Sequence, residues 1–167
     1  MSRTRFGEMN CGIGRALEAL GDWWTLLIVR DAFFGARRFG DFERSLGISK
    51  NILTDRLQHL VEHEILEKVD VGAQGQRFEY RLTKKGEALF TVLTAMREWS
   101  DEWVFGSGKE PVLMTDRRTG KRLPKLRMLD ADGKPVSRRD VKAVSGPGAD
   151  EKTARLLTRR PKETSAT

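Results

Sequence analysis

The stretch Leu46-Gly47-Ile48-Ser49-Lys50-Asn51-Ile52-Leu53-Thr54-Asp55-Arg56-Leu57-Gln58-His59-Leu60-Val61 decides the fold. At about 100° per residue, Leu53, Leu57, Leu60 and Val61 share one side of a helix, while Asn51, Thr54, Asp55, Gln58 and Glu62 fall on or beside the other. One face packs and the other is left free. Ser49 is a good N-cap, Gly47 can take φ > 0, and Phe39–Leu46 upstream is a shorter amphipathic segment. The pair predicts a helix-turn-helix whose second helix is the one that enters a DNA major groove.

Working outward, Glu67–Val71 and Arg77–Leu82 read as strands, joined by Gly72-Ala73-Gln74-Gly75-Gln76, which carries the glycines a hairpin loop wants. Thr83 caps a return to helix. Upstream, Ile13, Ala16, Leu17 and Leu20 recur at helical spacing until Gly21, and Asp22 caps a second helix, Trp23–Phe34, apolar on several sides. The order helix, turn, helix, hairpin, helix predicts a winged helix: mostly α with a small β-hairpin wing.

The chain has 167 residues, 38% apolar and 33% charged, enough for one domain with a real core and an appendage. No apolar run approaches the roughly 18 residues of a membrane span, and the first residues lack the apolar centre of a secretory signal, so the expected location is cytoplasmic. A single cysteine excludes an internal disulfide framework. The net charge of +7 is unevenly placed. Residues 1–106 carry 15 basic against 16 acidic side chains, and residues 107–167 carry 16 against 8. The basicity is in the tail, so DNA binding by the winged helix must rest on local geometry.

Several spaced motifs then occur in one order: Cys11, Ala19-Leu20-Gly21-Asp22-Trp23-Trp24-Thr25-Leu26-Leu27-Ile28, Arg38-Phe39-Gly40-Asp41-Phe42, Leu46-Gly47-Ile48-Ser49, Leu53-Thr54-Asp55-Arg56-Leu57, and Glu79-Tyr80-Arg81-Leu82-Thr83-Lys84-Lys85-Gly86. Over about 11–105 the chain resembles the HxlR-type winged-helix transcriptional regulators. The resemblance implies a homodimeric DNA-binding repressor or activator whose first and last helices form much of the dimer contact. Two departures stand out. Glu64 occupies the place of the glycine that usually closes the recognition helix, and the wing has Gly75-Gln76-Arg77 without the usual proline.

The expected organisation is a flexible arm over 1–10, the winged helix over 11–105, a linker over 106–110, a small β-hairpin appendage over 111–147 and a disordered basic tail over 148–167. The appendage resembles the zinc-ribbon-like tail of some HxlR-type proteins but has no cysteines, so no metal and no cofactor is expected. Asp130-Ala131-Asp132-Gly133 reads as a hairpin turn in preference to a calcium loop.

For DNA, Asn51, Thr54 and Gln58 suit base edges, while Lys50, Arg56 and Arg38 suit phosphates. Ser49 and Asp55, with Gln76 and Arg77 on the wing, complete the candidate surface. The stripe Leu89, Leu93, Met96, Trp99 and Trp103, with Ile13 and Leu17 on the first helix, is the candidate contact with a second copy. Trp23, Trp24, Phe33 and Phe34 form a candidate pocket for a small-molecule effector, with plain core packing as the alternative. Cys11 reads as a buried apolar filler, a redox sensor at a helix start, or half of an intersubunit disulfide. His59-Leu60-Val61-Glu62-His63 matches the H-x-x-E-H pattern of a zinc hydrolase, but the chain has no third histidine and the pattern lies on the helix already assigned to DNA. The function expected is a sequence-specific DNA-binding regulator without enzymatic activity, the alternative being a protein- or RNA-binding winged helix in a larger assembly.

Overall fold

The protein is seen as a computed structural model describing residues 6–72 and 77–158. Among the described residues seven α-helices and two strands follow in order: α1 (Gly12–Leu20), α2 (Trp23–Phe33), α3 (Phe39–Leu46), α4 (Lys50–Glu62), β1 (Leu66–Asp70), β2 (Phe78–Leu82), α5 (Lys84–Glu87), α6 (Leu89–Ser100) and α7 (Glu151–Thr158). A π-helical turn, Asp101–Phe105, extends α6, and a 3-10 turn covers Arg138–Asp140. The strands pair antiparallel with Leu66 opposite Leu82 and Asp70 opposite Phe78. This is a winged helix.

The chain divides into two units, Ala19–Leu126 and a second made of Met1–Glu18 with Arg127–Thr167. The first holds the core. Ile28, Val29 and Ala32 of α2, Phe42 of α3, and Leu53, Leu57 and Leu60 of α4 are essentially without solvent contact, and Ile65 and Leu66 close the cluster from the start of the wing. Each such aliphatic side chain contributes about 1.5–3 kcal/mol on burial, so α4 is fixed chiefly by its three leucines.

Caps set the helix ends. Asp22 accepts the Trp24 N–H at 3.0 Å and Ser49 the Ile52 N–H at 3.4 Å, while Gly47 ends α3 at φ 62° and turns the chain into α4. Gly86 has a different reason: a Cβ there would lie 2.2 Å from the Ile65 carbonyl oxygen, so only glycine lets α5 approach the wing. At the end of α4, Ile65 N–H donates to Leu60 O at 2.8 Å and Glu64 N–H to Val61 O at 3.0 Å. This is a Schellman closure, and Glu64 carries it at φ 57°, among the described residues the one non-glycine at positive φ.

In α3, Asp41 accepts the backbone N–H of Arg38 at 3.0 Å and of Arg37 at 3.3 Å, and its other oxygen takes Arg44 Nη2 at 2.7 Å. The Arg38 N–H, then the Arg37 N–H and Arg44, hold its carboxyl below the ordinary value.

Four expectations are corrected. The helix expected to follow the Thr83 cap and carry the apolar stripe to Trp103 is split into α5, α6 and the π turn around Ala88 and Ser100. The appendage forms no strands among the described residues, only isolated bridges Thr115–Arg122 and Leu129–Pro135 around turns at 116–120 and 130–133. Segments that short cannot bury a face, so pairing stops at one bridge each. Residues 151–158 are helical where a disordered tail was expected: Asp150 Oδ1 accepts the Thr153 N–H at 2.7 Å, and Asn10 bonds Gly148 O and the Asp150 N–H. Those same bonds tie down residue 10 of the expected arm. Finally, Cys11 is exposed just before α1, so it is not a buried filler.

Two outcomes test this account. Glu64→Gly should raise stability in urea melts by about 0.5–1 kcal/mol, because relief of the left-handed strain of roughly 1–2 kcal/mol exceeds the entropy glycine adds to the unfolded chain. Because the folded pKa of Asp41 is depressed, its contribution is present above the unfolded value of about 3.9 and is lost as pH falls through the folded one. Asp41→Ala should therefore be less stable than the parent at pH 7, with the gap closing as the pH falls below the ordinary carboxylate range.

Candidate nucleic-acid interface

Because Leu53, Leu57 and Leu60 point into the core, the helical repeat turns Lys50, Asn51, Thr54, Asp55 and Gln58 outward, and all five are exposed. They lie with exposed Ser49 along one face of α4, from its first turn to Gln58. Lys50 Nζ is 3.8 Å from Glu43 Oε1, and Gln58 Nε2 donates to Glu62 Oε1 at 2.8 Å. Asn51, Thr54 and Asp55 offer amide, hydroxyl and carboxylate groups of the kinds that match adenine, either base, and cytosine N4.

Two polar ties hold the rear of α4. Arg56 Nε lies 2.7 Å from Asp22 Oδ2, and His59 Nε2 lies 3.0 Å from the Ala19 carbonyl oxygen, which accepts from it. Arg56 is thus turned toward the α1–α2 junction and away from the outward face, contrary to the phosphate role expected of it. The carboxylate that caps α2 is a closer partner than solvent. His59 and His63 stack with centroids 4.3 Å apart, and His59 uses its ring to brace α4, which leaves the H-x-x-E-H pattern a structural one. Among the described residues no group of three His, Cys, Asp or Glu side chains is placed to hold a metal.

Arg38 stands before α3 with 65% of its side chain exposed and Nε 4.0 Å from Glu79 Oε1. Its neighbour Arg37 is spent internally, donating to the carbonyls of Ala32 and Ala36 at 2.7 and 2.9 Å. Tyr80 N–H donates to Arg37 O at 2.7 Å, so β2 and Arg38 are held to one frame. Arg77, exposed on the wing, donates its N–H to Asp70 Oδ1 at 3.2 Å, while Gln76 lies outside the described residues.

Sequence reasoning missed Ile52, 40% exposed on the first turn of α4 beside Asn51. Its signal was available: an aliphatic residue one position off the register of Leu53, Leu57 and Leu60, suited to a thymine methyl. It also missed Lys68, whose Nζ sits 4.0 Å over the Phe78 ring on the wing.

Of the other candidate residues, Leu89 and Leu93 pack against the core, whereas Met96, Trp99 and Trp103 are 50%, 62% and 70% exposed. Ile13 and Leu17 on α1 are exposed. Trp23, Phe33 and Phe34 line a groove of about 490 Å³ beside α6; Trp24 does not and packs on the core instead.

The profile of the HxlR-like helix-turn-helix family matches residues 19–107. An HTH-type transcriptional regulator of Mycobacterium tuberculosis strain H37Rv is 37% identical over 142 residues, covering 85% of this chain and 90% of that protein. The crystal structure of PA1607, a candidate transcription factor, superposes with a TM-score of 0.79 at 40% identity, over 86% of this chain and all of that one. The reduced form of the redox regulator HypR superposes at 0.51 with 25% identity, over 54% of this chain and 90% of its own. No described helix is long and apolar enough to cross a membrane. The chain belongs to the HxlR-like helix-turn-helix family and is a DNA-binding transcriptional regulator, not an enzyme.

Proposed function

We propose that two copies of the chain bind an inverted-repeat DNA site, each laying the outward face of α4 in a major groove, and that a small molecule or an oxidant controls the binding. The observation that carries this reading is the contrast along α4: Leu53 and Leu60 are wholly buried and Leu57 is 1% exposed, while the polar side chains between them are bare. A helix so divided has one face paid for by the core and a second whose groups await an aqueous or nucleic-acid partner. Asn51, Thr54, Asp55 and Gln58 read base edges, Ile52 meets a thymine methyl, and Lys50, Arg38 and Arg77 fix register on phosphates, with Ser49 at the helix start. Arg56 positions α4 from behind.

A second copy is supported by the bare apolar side chains of Met96 and Trp99 on α6, Trp103 on the π turn, and Ile13 and Leu17 on α1. Exposed aromatic and aliphatic clusters of this kind mark association surfaces. Two-fold pairing would place half-sites about 34–36 Å apart. The oxidant reading is supported by the exposure of Cys11, immediately ahead of a helix start, and by the likeness to a redox regulator.

Selection of binders from random duplexes with the full chain should enrich one site with two-fold symmetry; enrichment of no sequence would refute the reading. On that site Asn51→Ala should cost about 1–3 kcal/mol and relax preference at one position, whereas Lys50→Ala should weaken all sequences alike and lower the salt slope by about 1. Cys11→Ser should bind as the parent does under reductant and keep its affinity in hydrogen peroxide, where the parent loses it. Equal sensitivity of both proteins would rule out the thiol.

A further inference from the structure

We propose that the groove bounded by α2, α6, the π turn and residues 111–114 binds a neutral phenol, its ring held by aromatic walls and its hydroxyl by Asp101. The proposal deepens the effector reading above and rests on it only for the consequence at DNA.

The groove has a volume of about 490 Å³, within the roughly 300–1,000 Å³ of small-molecule sites. Its walls are Phe33, Phe34, Phe90 and Leu93, with Phe33 and Phe90 already in an edge-to-face pair at 5.4 Å between centroids. That geometry presents ring edges and faces to a third aromatic ring. The polar lining is sparse and paired. Arg30 bonds Asp31 Oδ1 through Nε and Nη2 at 2.9 and 2.7 Å, and Arg97 Nη1 bonds Asp101 Oδ2 at 2.5 Å. Each cation is offset by a carboxylate, so the groove favours neither an anionic nor a cationic guest.

The pairing is incomplete in a specific way. Asp101 is 7% exposed, yet its Oδ1 has no hydrogen-bond partner, and Nε of Arg97 has none either. Leaving such buried groups unpaired is costly, because each has lost water without gaining a partner. Here one is an acceptor and its neighbour a donor, on adjacent side chains joined by an ion pair. A phenolic hydroxyl supplies the donor that Asp101 Oδ1 lacks. An ether can only accept and a hydrocarbon can do neither. The carboxylate's χ2 torsion is soft, so a small turn of Asp101 brings Oδ1 to the groove. Asp101 also opens the π turn, a widened helical turn of the sort that recurs at functional sites. Met96 lines the groove and belongs to the proposed subunit contact, which gives occupancy a route to the geometry of the pair.

Calorimetric titration of the full chain with 1-naphthol and with 1-methoxynaphthalene tests this without DNA. The phenol should bind saturably, one per chain, and at least about tenfold more tightly than its ether. Asp101→Asn should bring the phenol toward the ether's affinity. Thr94→Trp, which fills the groove from α6 and leaves the carboxylate alone, should abolish binding of both. Equal affinity for the two probes, binding that survives Thr94→Trp, or no saturable binding would overturn the site. Binding lost as the chain self-associates would likewise overturn it, by making the groove an interface between copies. Phenol binding that leaves affinity for the selected duplex unchanged would keep the site and refute its regulatory use, and because the titration needs no DNA the site itself is judged independently of the selection.

Discussion

Burial of the underside of α4 is the constraint from which the remaining arrangement follows. Leu53, Leu57 and Leu60 leave water together, and once they do, the rotation of the helix about its axis is no longer free. The two polar ties at the rear act in the same sense. Arg56 on Asp22 and His59 on the Ala19 carbonyl oppose rotation by sidedness, since each needs its own residue to face the α1–α2 junction. What remains outward is then settled by the 3.6-residue repeat: Lys50, Asn51, Thr54, Asp55 and Gln58. The proposed reading head is the complement of a packing decision, and needs no separate scaffold.

Most of this was legible because the signals are local and periodic. The boundaries of α3, the caps Asp22, Ser49 and Thr83, the turn at Gly47 and the wing all follow from residues within a few positions of each other. Arg56 was misread because its partner lies far off in sequence: a flank arginine looks solvated until Asp22 is brought beside it. The tail was misread in the opposite direction. Its composition is that of a disordered segment, yet α7 is nucleated by Asp150 and by bonds from Asn10, a residue 140 positions away. Composition carries no information about such a contact.

Glu64 shows how a departure from a family pattern is tolerated. A glutamate in the left-handed region costs about 1–2 kcal/mol, yet the two hydrogen bonds of the closure and the burial of the next residue, Ile65, are both secured by that conformation. Loss of the closure would forfeit Ile65 and Leu66 from the core together with the first residue pair of the wing. The local strain is therefore outweighed by what it positions.

Charge bears on how such a head finds its site. Three of the cations near α4 have a carboxylate close by: Lys50 has Glu43, Arg38 has Glu79 at 4.0 Å, and Arg44 has Asp41. Exposed pairs of this kind are worth about 0–1 kcal/mol, so a phosphate can displace the carboxylate at little cost, but the field that reaches beyond the surface is nearly neutral. A strongly basic domain would bind any duplex first and discriminate second. In the proposed reading, binding through α4 would then rest on matched hydrogen bonds and methyl contacts in the groove, and a poor sequence would have little left to offer. The excess of basic residues lies beyond position 106, away from α4, so the net charge of the chain and the proposed reading head sit on different residues.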